Sequence, residues 1–349
     1  MSVALVAQIE LLGSYNLNKE FQYADKGNGL RVLKELEPSF DFDLLDGYTG
    51  NNSSLRESYE KRDKIGNATI WMVNHYDLIS SECRDKPFCV DFVCGNGVFK
   101  KLLNFPFEQS HKGSESEKHE FAVSKYKGII FIKRIEGNED ERVLNGESSY
   151  AGCRFEDFVS EKLDAEDEGQ KYYNMLKAEF GDHVLLYSCE VDCIKERLER
   201  DPEIGDFVEV KTAAPIRDRY SGSLTEWFRK TVSRRWWVQC IMAGVGEIVV
   251  GIKDQPRGGG YIHCKKVEKV AVSDLERNAI DWSSKVAFRM LDKFLKRIKQ
   301  VVTEDNPDIV YLFTIQTDRE IVYEKLTVHD HEEFPVLTEV MVQRLRESE

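Results

Sequence analysis

Apolar positions recur along this chain at two spacings, every second residue in some stretches and every third or fourth in others. Alternation marks strands that bury one face, and the wider spacing marks helices that bury a stripe. Strands are predicted over residues 2–15, 127–135, 185–193, 207–212, 247–252, 261–267, 309–315 and 320–326. Helical spacing runs through Ile70, Met72, Val73 and Leu78, and again through Val286, Met290, Phe294 and Ile298. Further helices are predicted over 157–162 (opened or preceded by Glu156), over 171–180, and over the aromatic-rich stretch 224–242. FCVDFVC (88–94) reads as a strand that turns back at Gly95-Asn96-Gly97, since Asn-Gly between apolar runs is a strong hairpin signal. DQPRGGG (254–260) reads as a second hairpin turn, 36–50 as loop, and 109–120 as an exposed polar loop carrying His111 and His119. The strands and helices mix without a strict strand–helix–strand succession. The expectation is therefore an α+β fold of two mixed β-sheets flanked by helices, in a single domain over 1–349.

Two of these strands carry charge pairs. Glu190 and Asp192 are two residues apart, as are Glu209 and Lys211, and strand residues two apart share a face. The segments 185–193 and 207–212 are predicted to pair, so that both sets of charges meet while Cys189, Val191, Cys193, Val208 and Val210 face a core. Alternating charges on a half-exposed strand are often only a solvated face. Converging carboxylates repel one another, however, and a divalent cation held by hard oxygen ligands offsets that repulsion. Glu156 is a third acidic position in the same order along the chain. The acidic pair followed by Glu-x-Lys resembles the PD-(D/E)xK nuclease arrangement. In such an arrangement the cations orient a water at a phosphodiester, and the lysine activates that water or neutralises charge on the phosphate.

Composition changes this picture in two places. The 349 residues carry 49 basic and 62 acidic side chains, a net charge of −13, which argues against a surface coated with nucleic acid. From Lys211 to Arg235, by contrast, seven basic residues face two acidic ones, a local excess of five positive charges. Arg229, Lys230, Arg234 and Arg235 lie there among Trp227, Phe228, Trp236 and Trp237, a composition suited to tracking phosphates and stacking bases. The tryptophans at 236 and 237 read first as core. The eight cysteines are scattered without paired short spacings, so free thiols are expected and a structural zinc is not. His329 and His331 sit in an acidic surface stretch. The start MSVALVAQIELLGSY reads as a strand and not a signal peptide, and no stretch is long and apolar enough for a membrane span. An intracellular protein, nuclear or cytosolic and without a membrane partner, is expected.

GCRFE (152–156), CEVDC (189–193), VEVKT (208–212) and RRWWVQC (234–240) together resemble the decapping exoribonuclease family. FDLLDGY (42–48), FVCGNGVFKKLLNFPFE (92–108) and AGVGEIVVGIKD (243–254) extend the resemblance over about residues 40 to 255 in family order. It implies a PD-(D/E)xK nuclease-like core and metal ligation by Glu156, Glu190, Asp192, Glu209 and the Val210 carbonyl. Lys211 and Gln239 would complete the catalytic pocket, and the cofactor would be Mg²⁺ or Mn²⁺, as a pair of ions. The implied activity is hydrolysis at RNA 5′ ends, releasing incomplete or non-classical caps such as NAD, or pyrophosphate, with 5′–3′ exoribonuclease activity in some members. Fungal relatives bind a nuclear 5′–3′ exoribonuclease, a contact not expected for animal relatives.

The chain departs from the family at Gly95-Asn96-Gly97, where Trp-Arg-Gly is usual and the arginine contacts phosphate. Asn96 is shorter and uncharged, and cannot form a bidentate guanidinium–phosphate pair. Lys100 or Lys101 are the nearby candidates to replace it. Substrate contacts are thus expected from Asn96, Lys100, Lys101, Arg229, Arg234 and Arg235. The alternative is a weakened or inactive member that binds RNA ends or acts as an interaction protein.

Overall fold

The computed structural model describes residues 6–18, 20, 22–25, 29–37, 39–50, 64–80, 88–108, 119–135, 146–163, 171–254, 261–316, 318–326 and 334–347. His111, His329, His331, Cys83 and the 255–260 turn lie outside them. Strands are numbered along the chain. One sheet of nine strands has the order β16 (Ile321–Lys325), β15 (Asn306–Ile315), β6 (His119–Tyr126), β7 (Ile129–Arg134), β5 (Phe92–Gly95), β10 (His183–Val191), β9 (Lys171–Phe180), β1 (Val6–Leu17), β2 (Tyr23–Ala24). A second sheet of seven has the order β4 (Phe42–Asp43), β14 (His263–Ala271), β13 (Glu247–Asp254), β12 (Phe207–Ala213), β11 (Cys193–Ile194), β3 (Arg31–Leu33), β8 (Ser160–Lys162). Parallel pairs β5–β10, β5–β7, β12–β13 and β3–β11 interrupt otherwise antiparallel ladders, so both sheets are mixed as expected.

The helices among the described residues are α1 (Lys64–Asn74), α2 (Tyr76–Ile79), α3 (Asn96–Asn104), α4 (Glu147–Val159), α5 (Ser233–Ile241), α6 (Val272–Arg277), α7 (Ser284–Val301) and α8 (Glu339–Glu347). One face of the nine-stranded sheet packs Phe121 and Leu185 with Phe99 of α3, Trp237 of α5 and Met290 and Phe294 of α7. The opposite face packs Val93 and Phe131 with Trp71 of α1 and Met341 and Leu345 of α8. On the other sheet, Ala151, Phe155 and Val159 of α4 meet Val208, Val210 and Val249. Phe155 lies so tight on β13 that only glycine fits beneath it: a Cβ on Gly251 would come within 2.6 Å of the ring.

Several predicted elements differ. Residues 171–180 form β9, not a helix, hydrogen-bonded to β1 on one side and β10 on the other. A strand whose residues are nearly all buried has no polar face, and its continuous apolar run mimics a buried helix. Gly95-Asn96-Gly97 is no hairpin: β5 ends at Gly95 and Asn96 is the first residue of α3. Glu156 is neither before nor at the start of a helix but in the last turns of α4, and 160–162 are strand β8. Last, 185–193 does not pair as a unit with 207–212. The chain changes sheets at Asp192, leaving β10 in the nine-stranded sheet while Cys193 and Ile194 pair with Val208 and Phe207. His119, read as part of a polar loop, opens β6 and is buried with Nε2 2.8 Å from Glu108.

The long aromatic helix is present, with a widened turn at Phe228–Val232 where the Ser233 N–H bonds the carbonyl five residues back. The strands either side of DQPRGGG pair antiparallel as predicted.

Candidate active site at the seam of the two sheets

The change of sheet at Asp192 brings four elements together. Glu190 is next to last in β10, Glu209, Val210 and Lys211 lie on β12, Glu156 comes from α4, and Gln239 from α5. Asp192 Oδ2 accepts the Val210 N–H at 2.7 Å, so the carboxylate ties the crossing segment to the neighbouring strand. Glu209 is 4% exposed, and its Oε1 accepts hydrogen bonds from both Lys211 Nζ and Gln239 Nε2. Lys211 Nζ also donates to the Val210 carbonyl at 3.1 Å.

The charges act on one another as a group. Burial, then Glu209 and Glu156, push the Asp192 carboxyl well above its usual range, with Lys211 and the Val210 N–H pulling it back. Burial also raises Glu156, with Lys171 and Lys211 lowering it and Glu190 and Glu209 raising it. Burial alone would lower the Lys211 ammonium, but Glu209, Asp192 and Glu156 hold it above the ordinary lysine range. The carboxylates around it thus favour Lys211 as a charged donor.

Lys171 and Tyr173 belong to this group and are not visible when 171–180 is read as helix. On β9 they share a face, Tyr173 lies directly across from Glu190, and Lys171 Nζ reaches Glu190 Oε1 at 2.7 Å. The sequence signal for them is Lys-x-Tyr on a strand set against CEVDC.

An oxygen-only set of carboxylates and a backbone carbonyl suits a hard cation such as Mg²⁺ or Mn²⁺. Among the described residues no three His, Cys, Asp or Glu side chains already converge as a ligand cage. The ammonium groups of Lys171 and Lys211 supply positive charge among the carboxylates instead. The donor chemistry fits a divalent ion, and these side chains must turn toward it to close a cage.

Asn96 is 5% exposed, and its amide donates to Cys189 Sγ at 3.0 Å. Its Oδ1 has no hydrogen-bond partner among the described residues. Burial pushes the Cys189 thiol up to about 12, so it stays neutral. Lys100 stands one turn beyond Asn96 on the same face of α3, and its charge draws down the Cys189 and Cys240 thiols, which places it beside the site. Lys101 is rotated about 100° from Lys100.

The basic stretch divides sharply. Arg234 is committed to the fold: Nε donates to Asn104 Oδ1 at 3.0 Å, Nη1 to the Phe107 carbonyl at 3.2 Å, and the guanidinium stacks on the Phe107 ring. Arg229 Nε donates to the Asn278 carbonyl at 2.8 Å, and Arg217 pairs with Glu268 at 3.1 Å. Arg235 is exposed with no ion pair or hydrogen bond among the described residues. Trp236 and Trp237 are core, as read from the helical stripe. The seven described cysteines are free thiols.

A model of RAI1-like PD-(D/E)XK nucleases matches residues 8–342 of this chain. The chain belongs to that family. The decapping and exoribonuclease protein of Xenopus laevis is 25% identical over 355 residues, covering 93% of this chain and 83% of its own length. Scheffersomyces stipitis Rai1 in complex with (3′-NADP)⁺ and calcium superposes with a TM-score of 0.75 at 14% identity, over 99% of this chain and 97% of its own. Candida albicans Rai1 in complex with pU5 and Mn²⁺ gives 0.71 at 14% identity, over 99% and 96%. These likenesses extend along nearly the whole chain, beyond the segments that carry the sequence resemblance.

Proposed function

We propose that this protein is a divalent-metal-dependent hydrolase acting on RNA 5′ ends. The observation that carries the reading is the meeting of Glu156, Asp192, Glu209, Lys211 and Gln239 from separate elements at one buried seam. Relatives solved with pU5 and Mn²⁺ and with (3′-NADP)⁺ support RNA ends and non-classical caps such as NAD as the substrate class. Glu156, Glu190, Asp192, Glu209 and the Val210 carbonyl would hold Mg²⁺ or Mn²⁺, as a pair, and the bound cation supplies Lewis-acid stabilisation of phosphate charge. Lys211, held as an ammonium, donates to the phosphoryl oxygen on which charge develops. Gln239 orients the attacking water or the first nucleotide, its own position fixed by Glu209. Lys171 and Tyr173 hold Glu190 in place from behind. On this reading the protein works in the nucleus or cytosol.

The cation makes its own prediction. Glu156 and Asp192 have raised values in the folded chain. Their contribution to stability is present below the ordinary carboxylate range and is lost as pH rises through those raised values. Mn²⁺ removes that loss, so it is expected to raise the melting temperature, more at neutral than at mildly acidic pH, and chelator is expected to reverse the shift. A shift of equal size in Glu209→Gln would assign the binding elsewhere.

One observation favours a second reading, a member that binds RNA ends with little turnover: the amide of Asn96 is spent on Cys189 and offers no guanidinium. Wild type and Asn96→Arg are to be compared on short RNAs carrying monophosphate, triphosphate, unmethylated-cap, NAD or hydroxyl 5′ ends. The expected result is measurable wild-type turnover on at least one end type, and a gain of about tenfold or more in Asn96→Arg. Turnover in Asn96→Arg alone would support the second reading. Turnover in neither protein would end the first.

A further inference from the structure

One side of the helix that carries Gln239 runs from solvent to the buried seam and holds four residues in line. Trp227, Thr231, Arg235 and Gln239 are spaced four apart. Positions four apart on a plain α-helix drift steadily around the axis. Here the widened turn at Phe228–Val232 slows that rotation and keeps the four in register. Trp227 is 49% exposed, although three of the neighbouring aromatics, Phe228, Trp236 and Trp237, are buried. Thr231 is short, and its hydroxyl donates back to the Trp227 carbonyl at 2.5 Å, so nothing protrudes between Trp227 and Arg235. Lys230, paired with Glu226 at 2.6 Å, flanks the row.

Resting on the RNA 5′-end reading, we infer that this row is the track for the RNA body leaving the active site. Arg235 meets a backbone phosphate and Trp227 stacks a base some nucleotides downstream. From Gln239 to Trp227 the helix rises about 18 Å, a distance an oligonucleotide covers and a dinucleotide does not. The occupant is single-stranded nucleic acid because the row sets an exposed cation and an exposed π-face along one side of a helix, the chemistry of sequence-tolerant strand binding. It also lies within the basic segment of an acidic chain, continuous with the site. Arg234 and Arg229, equally basic in sequence, are tied to the fold and take no part.

The test measures binding of 5′-hydroxyl oligouridylates of increasing length by fluorescence anisotropy, in chelator so that hydrolysis does not intervene. The proteins are wild type, Trp227→Ala, Trp227→Phe, Arg235→Gln and, as a control exposed to the same degree outside the row, Tyr261→Ala. Wild-type affinity is expected to climb with length and then level off. Trp227→Ala weakens the long oligomers by about five- to a hundredfold, Trp227→Phe retains most of the affinity, and the shortest RNAs are indifferent to either change. Arg235→Gln lowers the slope of log affinity against log salt by about 0.7, one phosphate's share. Equal binding by Trp227→Ala and wild type at every length overturns the track, and a loss independent of length does so too. If wild type still hydrolyses RNA ends in either case, the function stands without the track. No affinity for any RNA, together with no hydrolysis, removes both.

Discussion

Glu209→Gln is expected to lower turnover of RNA 5′ ends by about a hundredfold to a thousandfold while the chain stays folded. The substitution keeps the shape and removes the charge. In the native site one carboxylate oxygen accepts from both Lys211 and Gln239. A glutamine amide in that place either turns its NH₂ toward two donors or offers a neutral oxygen to an ammonium. Either way Lys211 loses its nearest counter-charge, Gln239 loses its anchor, and one of the proposed ligands of the cation becomes a weaker one. Asp192 and Glu156 still hold Lys211 charged, so the fold has no reason to fail. Single-turnover rates on the preferred end, with circular dichroism of both proteins, decide the matter. Activity above about a tenth of wild type would remove Glu209 from the machinery.

Phe155→Ala is expected to cost about 3–5 kcal/mol of stability, the range for emptying a buried aromatic position. Phe155 is fully buried where α4 meets β13, and its ring fills the space that Gly251 leaves open. With the ring gone α4 settles inward or tilts, and the next residue is Glu156. Activity should therefore fall even under conditions where the variant is folded. Denaturant unfolding gives the first quantity, and activity well below the transition gives the second. Full activity in a destabilised variant would show that Glu156 keeps its place without this packing.

Much of the fold and of the candidate site was legible because the residues concerned obey short-range rules. Glu190, Glu209 and Lys211 lie on strands, where a spacing of two fixes a shared face, and the mixed sheets followed from the irregular order of the elements. Trp236 and Trp237 follow from the buried stripe of their helix. What was hidden depends on long-range packing. β9 is covered on nearly all sides and so loses the alternation that would distinguish it from a helix; with it went Lys171 and Tyr173. Asn-Gly after an apolar strand signals a reversal, but here the parallel neighbours β7 and β10 require a helical crossover, and α3 begins at Asn96. That Arg234 braces α3 while Arg235 stays free rests on Asn104 and Phe107, over a hundred residues away.

The bond from Asp192 to the Val210 N–H has a consequence for how this molecule comes apart. The chain passes between its two sheets at this carboxylate, so the seam and the chemistry share a hinge pin. Whatever prises the sheets apart there scatters Glu190 to one side and Glu209 to the other. A form opened at this seam does not keep the acidic group assembled. Amide exchange at Val210 should accordingly track loss of activity under denaturant, whereas the short edge strand β16 opens without it.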